Sequence, residues 1–337
     1  MEAILSTYRQ NKLFGPILNI LIVMLFLVAL YYQVFARQDL LFAFQTFQTQ
    51  LEWAHLPWLI LALGLMPVNW AFETFKWLQF TRSFSKMRFW QSYQAVLAGV
   101  AMSLITPNRI GEYGGRVLLT ERRHTWRIVV ATLLGSISQM IVLFSVGLVG
   151  FLWFSYNHLV LKTYLLFGVG VLGLGFILTL IIIFFRIQAI IPIIYWLAGK
   201  QMWKRIRKQI IVLRMCNDQQ KLQAIAWALL RYLTYCVQYW LLLHFLRMDV
   251  PILDAFAAIA TIFLIQTGFP LPPIGALLAR AEIALYIWGY FNVHEISVLA
   301  ATFGLFIINL ALPALLGAIF IVITNIKKSP AYEKIAV

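Results

Sequence analysis

Long apolar runs are the feature of this sequence that most constrains its fold. Six of them are long enough to cross a bilayer as helices, since a span needs about 20 predominantly apolar residues. They occupy residues 17–35, 56–75, 128–154, 163–185, 222–246 and 296–324. In a 337-residue chain that is 62% hydrophobic and only 12% charged, such runs exclude a soluble domain, a disordered chain and a disulfide-rich secreted scaffold. We therefore predict an all-α polytopic membrane protein with six transmembrane helices.

Two further apolar segments each contain a break that disfavours a simple crossing. Residues 91–106 would form a helix of about 24 Å, which is shorter than the roughly 30 Å hydrocarbon core, and the chain then breaks at Pro107. Residues 252–291 repeat this layout around a proline-rich break at 268–273. We predict two re-entrant helical hairpins, 91–121 and 252–291, because non-helical backbone at membrane depth has to pack in protein or line a cavity.

The distribution of Lys and Arg supports this topology. With six spans and two hairpins, 20 of the 27 basic residues lie on one side of the membrane, three (Arg37, Lys162 and Arg247) on the other and four at membrane depth. Cytoplasmic loops of membrane proteins collect positive charge, so we predict that both termini are cytoplasmic. The formal charge of +15 then reflects topology, and we expect no nucleic-acid partner.

The order of elements repeats along the chain as span, span, hairpin, span. We describe residues 1–337 as a single membrane domain, with a first repeat at 15–155 and a second at 162–325. Because each repeat contains an odd number of spans, the second is inverted relative to the first. Inverted repeats with broken helices are the architecture of secondary transporters, which bind substrate at the interface between the repeats.

A short motif recurs between the two predicted hairpins. Ile110-Gly111 is followed by Arg116, and Ile274-Gly275 is followed by Arg280 at the same spacing. The motif supports the assignment of two related halves.

The long inner loop contains a basic segment at 199–215. Its apolar residues fall on one face and its basic residues largely on others, which favours a cytoplasmic interfacial amphipathic helix. A solvated basic loop that follows the positive-inside rule is the alternative. Either one attracts anionic lipid headgroups.

Charged residues beside the first break are the strongest candidates for a binding site. Asn108, Arg109, Glu112 and Arg116 surround a helix start near Ile110, where backbone N–H groups and the helix dipole favour an anion. The two arginines can donate bidentate hydrogen bonds to phosphate. Glu112 precedes Arg116 by four residues, a spacing that allows the two to pair.

Other charges at membrane depth extend this list. Arg280 and Glu282 follow the second break, and Glu73 and Lys76 end the second span, where they are either site residues or interfacial anchors. We expect Arg231 to snorkel towards the cytoplasmic side. A charge at the bilayer centre costs about 2.5–3.5 kcal/mol on insertion scales, so such a cluster has to face protein or water. Its role is either substrate binding or structural ion pairing.

No other chemistry is indicated. The five histidines and two cysteines lack metal-ligand spacing, and we identify no nucleotide-binding loop and no Ser-His-Asp arrangement. We therefore assign no metal, no cofactor and no catalytic residue.

Two motifs resemble those of the lysylphosphatidylglycerol synthase transmembrane family, which includes the flippase half of bacterial multiple-peptide-resistance factors. The residues that carry the resemblance are Asn69, Trp70, Glu73, Lys76 and Trp77, followed by Pro107, Asn108, Arg109, Gly111, Glu112 and Arg116. The second hairpin departs from the family's Pro-Gly-Gly-x-Gly-x-x-Glu-like run, because it reads Pro272-Pro273-Ile274-Gly275 before Arg280 and Glu282.

The resemblance implies translocation of an aminoacylated or related phospholipid between leaflets of a bacterial plasma membrane. By position, Arg109, Glu112, Arg116 and Glu282 would line the path. No aminoacyl-transferase domain follows the last span in this sequence, so we expect a transporter and not a synthase.

Other functions are open from the sequence. The protein is alternatively a translocase or helper for polyprenyl-phosphate-linked sugars, a non-transporting scaffold for an envelope enzyme, or an intramembrane enzyme acting on lipid phosphates. The candidate partners are a phospholipid or polyprenyl-phosphate lipid, a second copy of the chain and a separate envelope enzyme.

Overall fold

Helices form almost all of the part of the chain that the computed structural model describes. Described are residues 53–106, 110–120, 124–159, 161–189, 216–268 and 273–327, together with the single residues 191, 196 and 213. The α-helices are α1 (Leu56–Thr81), α2 (Phe89–Ile105), α3 (Gly111–Leu118), α4 (Thr125–His158), α5 (Thr163–Phe185), α6 (Asp218–Phe245), α7 (Ile252–Thr267), α8 (Pro273–Gly289), α9 (Glu295–Phe306) and α10 (Leu312–Lys327). A short π-helical turn, Ile307–Ala311, joins α9 to α10.

The helical membrane-protein class is confirmed. Four continuous helical segments are long and apolar enough to cross a membrane: Leu56–Thr81, Thr125–His158, Thr163–Phe185 and Glu295–Thr324. The 28-residue α6 is also long enough, but polar residues such as Arg231 and Gln238 make it less hydrophobic than those four. The predicted first span, 17–35, and nearly all of the predicted interfacial helix, 199–215, lie outside the described residues.

One predicted helix boundary is wrong in an informative way. The second span was expected to end at residue 75, but α1 continues to Thr81. The additional turns bury Trp77 and Phe80 completely, so packing against neighbouring helices extends the helix beyond the apolar run. As a result Lys76 lies inside α1 and is 2% exposed.

A buried chain of amides holds α1 against α6. The Gln238 side chain donates to the Ala62 carbonyl at 2.9 Å, and its own oxygen accepts from Asn309 at 3.0 Å. Asn309 in turn accepts from Asn69 at 2.7 Å. The three amide side chains are at most 3% exposed. Because Asn309 lies in the π-helical turn, where the helix is locally widened, that turn directs the amide towards the α1–α6 contact.

The helices on either side of the breaks pack across the two halves of the chain. In the first half α2 packs against α10, and in the second half α7 packs against α4. Both contacts are very close: a Cβ atom added at Gly317 would lie 2.0 Å from the Leu97 carbonyl oxygen, and one added at Gly150 would lie 2.5 Å from Cβ of Ala260. Each half of the chain therefore contributes one apolar helix that packs closely against a helix of the other half.

The short helix α3 lies directly against α2. A Cβ added at Gly111 would lie 2.1 Å from the Met102 carbonyl oxygen, and one added at Gly115 would lie 2.3 Å from the Ala98 carbonyl oxygen. The two glycines are one turn apart, so they present a smooth face to the α2 backbone. This close approach positions Arg116, the next residue, towards α1.

We expect Gly317→Ala to destabilise the protein more than Gly175→Ala. The first methyl group would collide with backbone, and overpacking of this kind costs about 1–3 kcal/mol. Nothing lies within 4 Å of the second, and an alanine there favours the helix by roughly 0.5–1 kcal/mol. Thermal unfolding of the two purified variants in one detergent measures the difference, and equal midpoints would contradict the close α2–α10 contact.

Candidate functional site

The carboxylate of Glu73 is the centre of a buried ion cluster. Its Oε1 lies 2.9 Å from Nη2 of Arg116, and its Oε2 lies 2.5 Å from Nζ of Lys76 and 2.9 Å from Nη1 of Arg231. We call Glu73, Lys76, Glu112, Arg116 and Arg231 the Glu73 cluster. One carboxylate therefore contacts three cations, which α1, α3 and α6 bring together.

A second carboxylate completes the surroundings of Arg116. Oε1 of Glu112 pairs with the same Nη2 of Arg116, at the expected spacing of four residues on α3. The Arg116 side chain is 1% exposed, whereas that of Glu112 is 25% exposed. Glu112 thus lies at the edge of the cluster and Arg116 in its interior.

Neutral groups from α4 and α1 support the charged ones. Oε1 of Gln139 accepts from Lys76 at 3.3 Å and from Arg231 at 3.4 Å. The guanidinium of Arg116 lies 5.5 Å from the ring centroid of Trp77, and that of Arg231 lies 4.9 Å from the ring centroid of Trp70. Cation–π contacts of this kind strengthen when the cation is desolvated.

The charge balance of the cluster is uneven. With all groups ionised, three cations face two carboxylates, which leaves one positive charge in excess. Removing a charge from water costs several kcal/mol, and pairing offsets that cost only when the geometry is good. An anion that entered the cluster would balance the remaining charge.

The second half of the chain holds an arginine in a different way. Nε of Arg280 donates to Oε1 of Gln266 at 2.7 Å, and its Nη1 donates to the Tyr235 hydroxyl at 2.9 Å. Its guanidinium also lies 5.4 Å from the ring centroid of Phe263. We call Tyr235, Phe263, Gln266 and Arg280 the Arg280 group. All of the partners named here are neutral.

The structure brings some of the predicted site residues together and separates others. The structure brings Glu73, Lys76, Glu112 and Arg116 into one cluster, and it places Arg280 in a separate group. Glu282 is exposed on α8 and follows Arg280 by two residues, so the two do not share a helix face. Asn108 and Arg109 lie outside the described residues.

Sequence reasoning missed two members of this site. Arg231 was expected to snorkel, and that expectation is wrong, because it binds Glu73. Gln139 on α4 was not considered. Arg231 lies in the middle of α6, where a snorkelling side chain would have far to reach, and this position was the available signal. For Gln139 the sequence contains no such signal beyond its place in an apolar helix.

The site has no features of a metal centre. Within the described ranges, His, Cys, Asp and Glu form no group of three or more that could hold a metal ion.

Comparison with known proteins places this fold and site in a family. The family model described as the lysylphosphatidylglycerol synthase transmembrane region matches residues 16–317, and the chain belongs to this family. No curated protein and no solved structure shows a significant match to the chain. The match spans both the Glu73 cluster and the Arg280 group.

We expect Glu73→Gln to destabilise the protein strongly. The change removes the only carboxylate that contacts all three cations of the Glu73 cluster, and breaking a buried ion pair in this way costs about 3–5 kcal/mol. The matched control is Asp249→Asn, which neutralises an exposed carboxylate. The measurement is the thermal unfolding midpoint in detergent.

A second substitution tests whether charge is the cause. Glu73→Gln combined with Lys76→Met removes one of the stranded cations, so the double variant should recover part of the lost stability. If the loss of stability in the double variant equals the sum of the losses in the two single variants, the groups do not act as one charge-balanced cluster.

Proposed function

We propose that this family member is a lipid translocase that moves an anionic or aminoacylated phospholipid between the leaflets of a bacterial plasma membrane. The observation that carries the proposal is the Glu73 cluster, a largely buried site with one positive charge in excess that includes two residues of α1, a helix long and apolar enough to cross a membrane. A lipid phosphate would balance this charge. Ionisable residues within membrane segments are typical of substrate pathways.

The proposed architecture has six transmembrane helices and two re-entrant hairpins in two inverted repeats, with both termini in the cytoplasm. The reciprocal packing of α2 on α10 and of α7 on α4 supports it. Under a two-fold relationship between the halves these two contacts are equivalent, and α1 and α6 exchange places across their shared contact. The Glu73 cluster then lies at the interface of the repeats, where transporters of this design bind substrate.

The proposed mechanism is an exchange of ion-pair partners. The half-exposed members, Glu112 and Arg231, form the entrance to the cluster, while Arg116 is buried behind them. A lipid phosphate would bind the cations and displace a carboxylate, and an amino group on the headgroup would then pair with Glu112. Rocking of the two repeats would expose the headgroup to each leaflet in turn while the acyl chains stay in the bilayer.

This function assigns no catalytic residue, and net movement would follow the lipid gradient, the membrane potential or a proton. A polyprenyl-phosphate lipid as cargo, and a scaffold that binds an envelope enzyme without transport, are the competing outcomes of the experiments below.

The topology makes a labelling prediction. Single cysteines at Ser85 and Thr120, which flank the first hairpin, should react with a membrane-impermeant maleimide only from the cytoplasm. Single cysteines at Asp249 and His294, which flank the second hairpin, should react only from the outside. Of the native thiols, Cys236 is buried, and burial raises the pKa of Cys216 to about 11, so both should be unreactive at neutral pH. If the two members of a pair react from opposite sides, that hairpin crosses the membrane.

We expect Arg116→Ala to abolish lipid flipping in proteoliposomes while the protein still inserts. Arg116 is the cation that both carboxylates of the cluster bind, so its loss removes both the charge for the phosphate and the partner exchange. The assay follows a fluorescent phosphatidylglycerol and its lysyl ester by dithionite quenching of the outer leaflet.

The matched control is Arg82→Gln, which removes the same charge from an exposed position at the end of α1. It should flip lipid at the wild-type rate. Equal rates for wild-type protein and Arg116→Ala would contradict the proposal. Flipping of a polyprenyl phosphate alone would favour the sugar carrier, and a stable complex with an envelope enzyme without flipping would favour the scaffold.

A further inference from the structure

The Glu73 cluster and the Arg280 group meet on one face of α6. Arg231 binds Glu73, and Tyr235, four residues later, accepts a hydrogen bond from Arg280 at 2.9 Å. Side chains four residues apart on a helix are neighbours, with Cβ atoms about 5–6 Å apart. The two charged groups, one built around the first hairpin and one around the second, are therefore adjacent.

The two groups differ in how their charge is balanced. Arg116 contacts two carboxylates, whereas no Asp or Glu in the described ranges forms an ion pair with Arg280. The guanidinium of Arg280 is held by amide and hydroxyl oxygens and by the faces of Tyr235 and Phe263. Together with the excess charge of the Glu73 cluster, two positive charges are left without a carboxylate at this junction.

The positive charge at this junction is most accessible at Arg231 and Arg280. The Lys76 and Arg116 side chains are 2% and 1% exposed, but that of Arg231 is 22% exposed and Arg280 is half-buried. Each accessible guanidinium also has donors to spare. Nη2 of Arg231 and Nη2 of Arg280 each make no hydrogen bond to the described residues, since the contacts of Arg231 with Glu73 and Gln139 use Nη1.

We infer that Arg231, Tyr235 and Arg280 form a subsite for a phosphate ester and that this subsite prefers a phosphomonoester headgroup to a phosphodiester. A phosphomonoester has a charge of about −1.5 to −2 at neutral pH and three acceptor oxygens, which matches the net charge of two at this junction. A phosphodiester carries a single charge. The inference rests on the proposed function, since it identifies the headgroup chemistry of the same lipid site.

The geometry assigns each oxygen a donor. The two guanidinium groups would each bind phosphate oxygens through their free N–H groups, as arginine does with oxyanions. Tyr235 accepts from Arg280 and can donate its own hydroxyl proton to a further oxygen. Glu73 would keep Lys76 and Arg116 in place when the phosphate first binds, so the subsite is available before any ion pair of the cluster is exchanged.

The test is a binding measurement on the full-length protein in detergent. Isothermal titration calorimetry compares dihexanoyl phosphatidic acid, a phosphomonoester, with dihexanoyl phosphatidylglycerol, a phosphodiester, and with inorganic phosphate. We expect the wild type to bind the phosphomonoester about tenfold more tightly than the phosphodiester, the effect of one additional charge-assisted contact. Equal affinity for the two lipids would overturn the preference.

Variants test the assignment of residues. Arg280→Gln and Arg231→Gln should each weaken phosphomonoester binding about tenfold, and Tyr235→Phe about threefold, because it loses one hydroxyl and keeps the ring. Arg186→Gln, which neutralises an exposed arginine after α5, should bind as the wild type does. Wild-type affinity in both Arg280→Gln and Arg231→Gln would overturn the subsite.

One further variant and the phosphate titration complete the design. Arg280→Lys keeps the positive charge but loses the planar guanidinium group, so it should bind the phosphomonoester more tightly than Arg280→Gln does. This comparison still holds if one variant is unstable. Inorganic phosphate that binds as tightly as the lipid and is lost in the same variants would support the subsite and assign it to the free anion. Inorganic phosphate that binds much more weakly than the lipid would support a lipid headgroup as the ligand of the subsite.

Failure of this inference can be separated from failure of the proposed function. A protein that binds phosphatidic acid through these residues but does not flip lipid contradicts transport and leaves the subsite standing. A protein that flips lipid at the wild-type rate in Arg280→Gln and Arg231→Gln contradicts the subsite and leaves transport standing.

Discussion

The contact of one buried carboxylate with three cations is the constraint on which the rest of this site depends. In the low dielectric of a helical bundle, Glu73 has to be paired, and so do Lys76, Arg116 and Arg231. These residues come from three helices in both halves of the chain. Any change in the packing of α1, α3 or α6 would separate charges that cannot be solvated, so the ion cluster fixes the relative positions of these helices.

Elsewhere in the structure, contacts between uncharged groups hold the helices together. The amide chain of Asn69, Gln238 and Asn309 holds α1 against α6, and glycines let backbones approach across the two halves at Gly317 and Gly150. Small residues at helix contacts and side-chain hydrogen bonds are the usual means of helix association in a bilayer, where the hydrophobic effect does not drive it. The Arg280 group lacks a carboxylate among the described residues, whereas Arg116 contacts two, so the arginines beside the two breaks are held differently.

Much of the fold and part of the site could be predicted from local patterns. The apolar runs predicted α4, α5 and the α9–α10 segment, and the breaks at residues 106 and 268 fall where helices end. The pairing of Glu112 with Arg116 follows from their spacing on one helix and is confirmed. The end of α1 was predicted wrongly, because burial of Trp77 against neighbouring helices extends it beyond its apolar run.

The sequence by itself determined that the chain is a helical membrane protein, where most of its helices begin and end, and which charged residues lie within or beside its apolar segments. These properties are local, since a helix satisfies its own backbone hydrogen bonds within one segment. Only the tertiary structure decided which charges meet. Arg231 pairs with Glu73, and Arg280 donates to Tyr235 and Gln266, because the partner of a buried charge depends on distances between helices that packing over the whole chain determines.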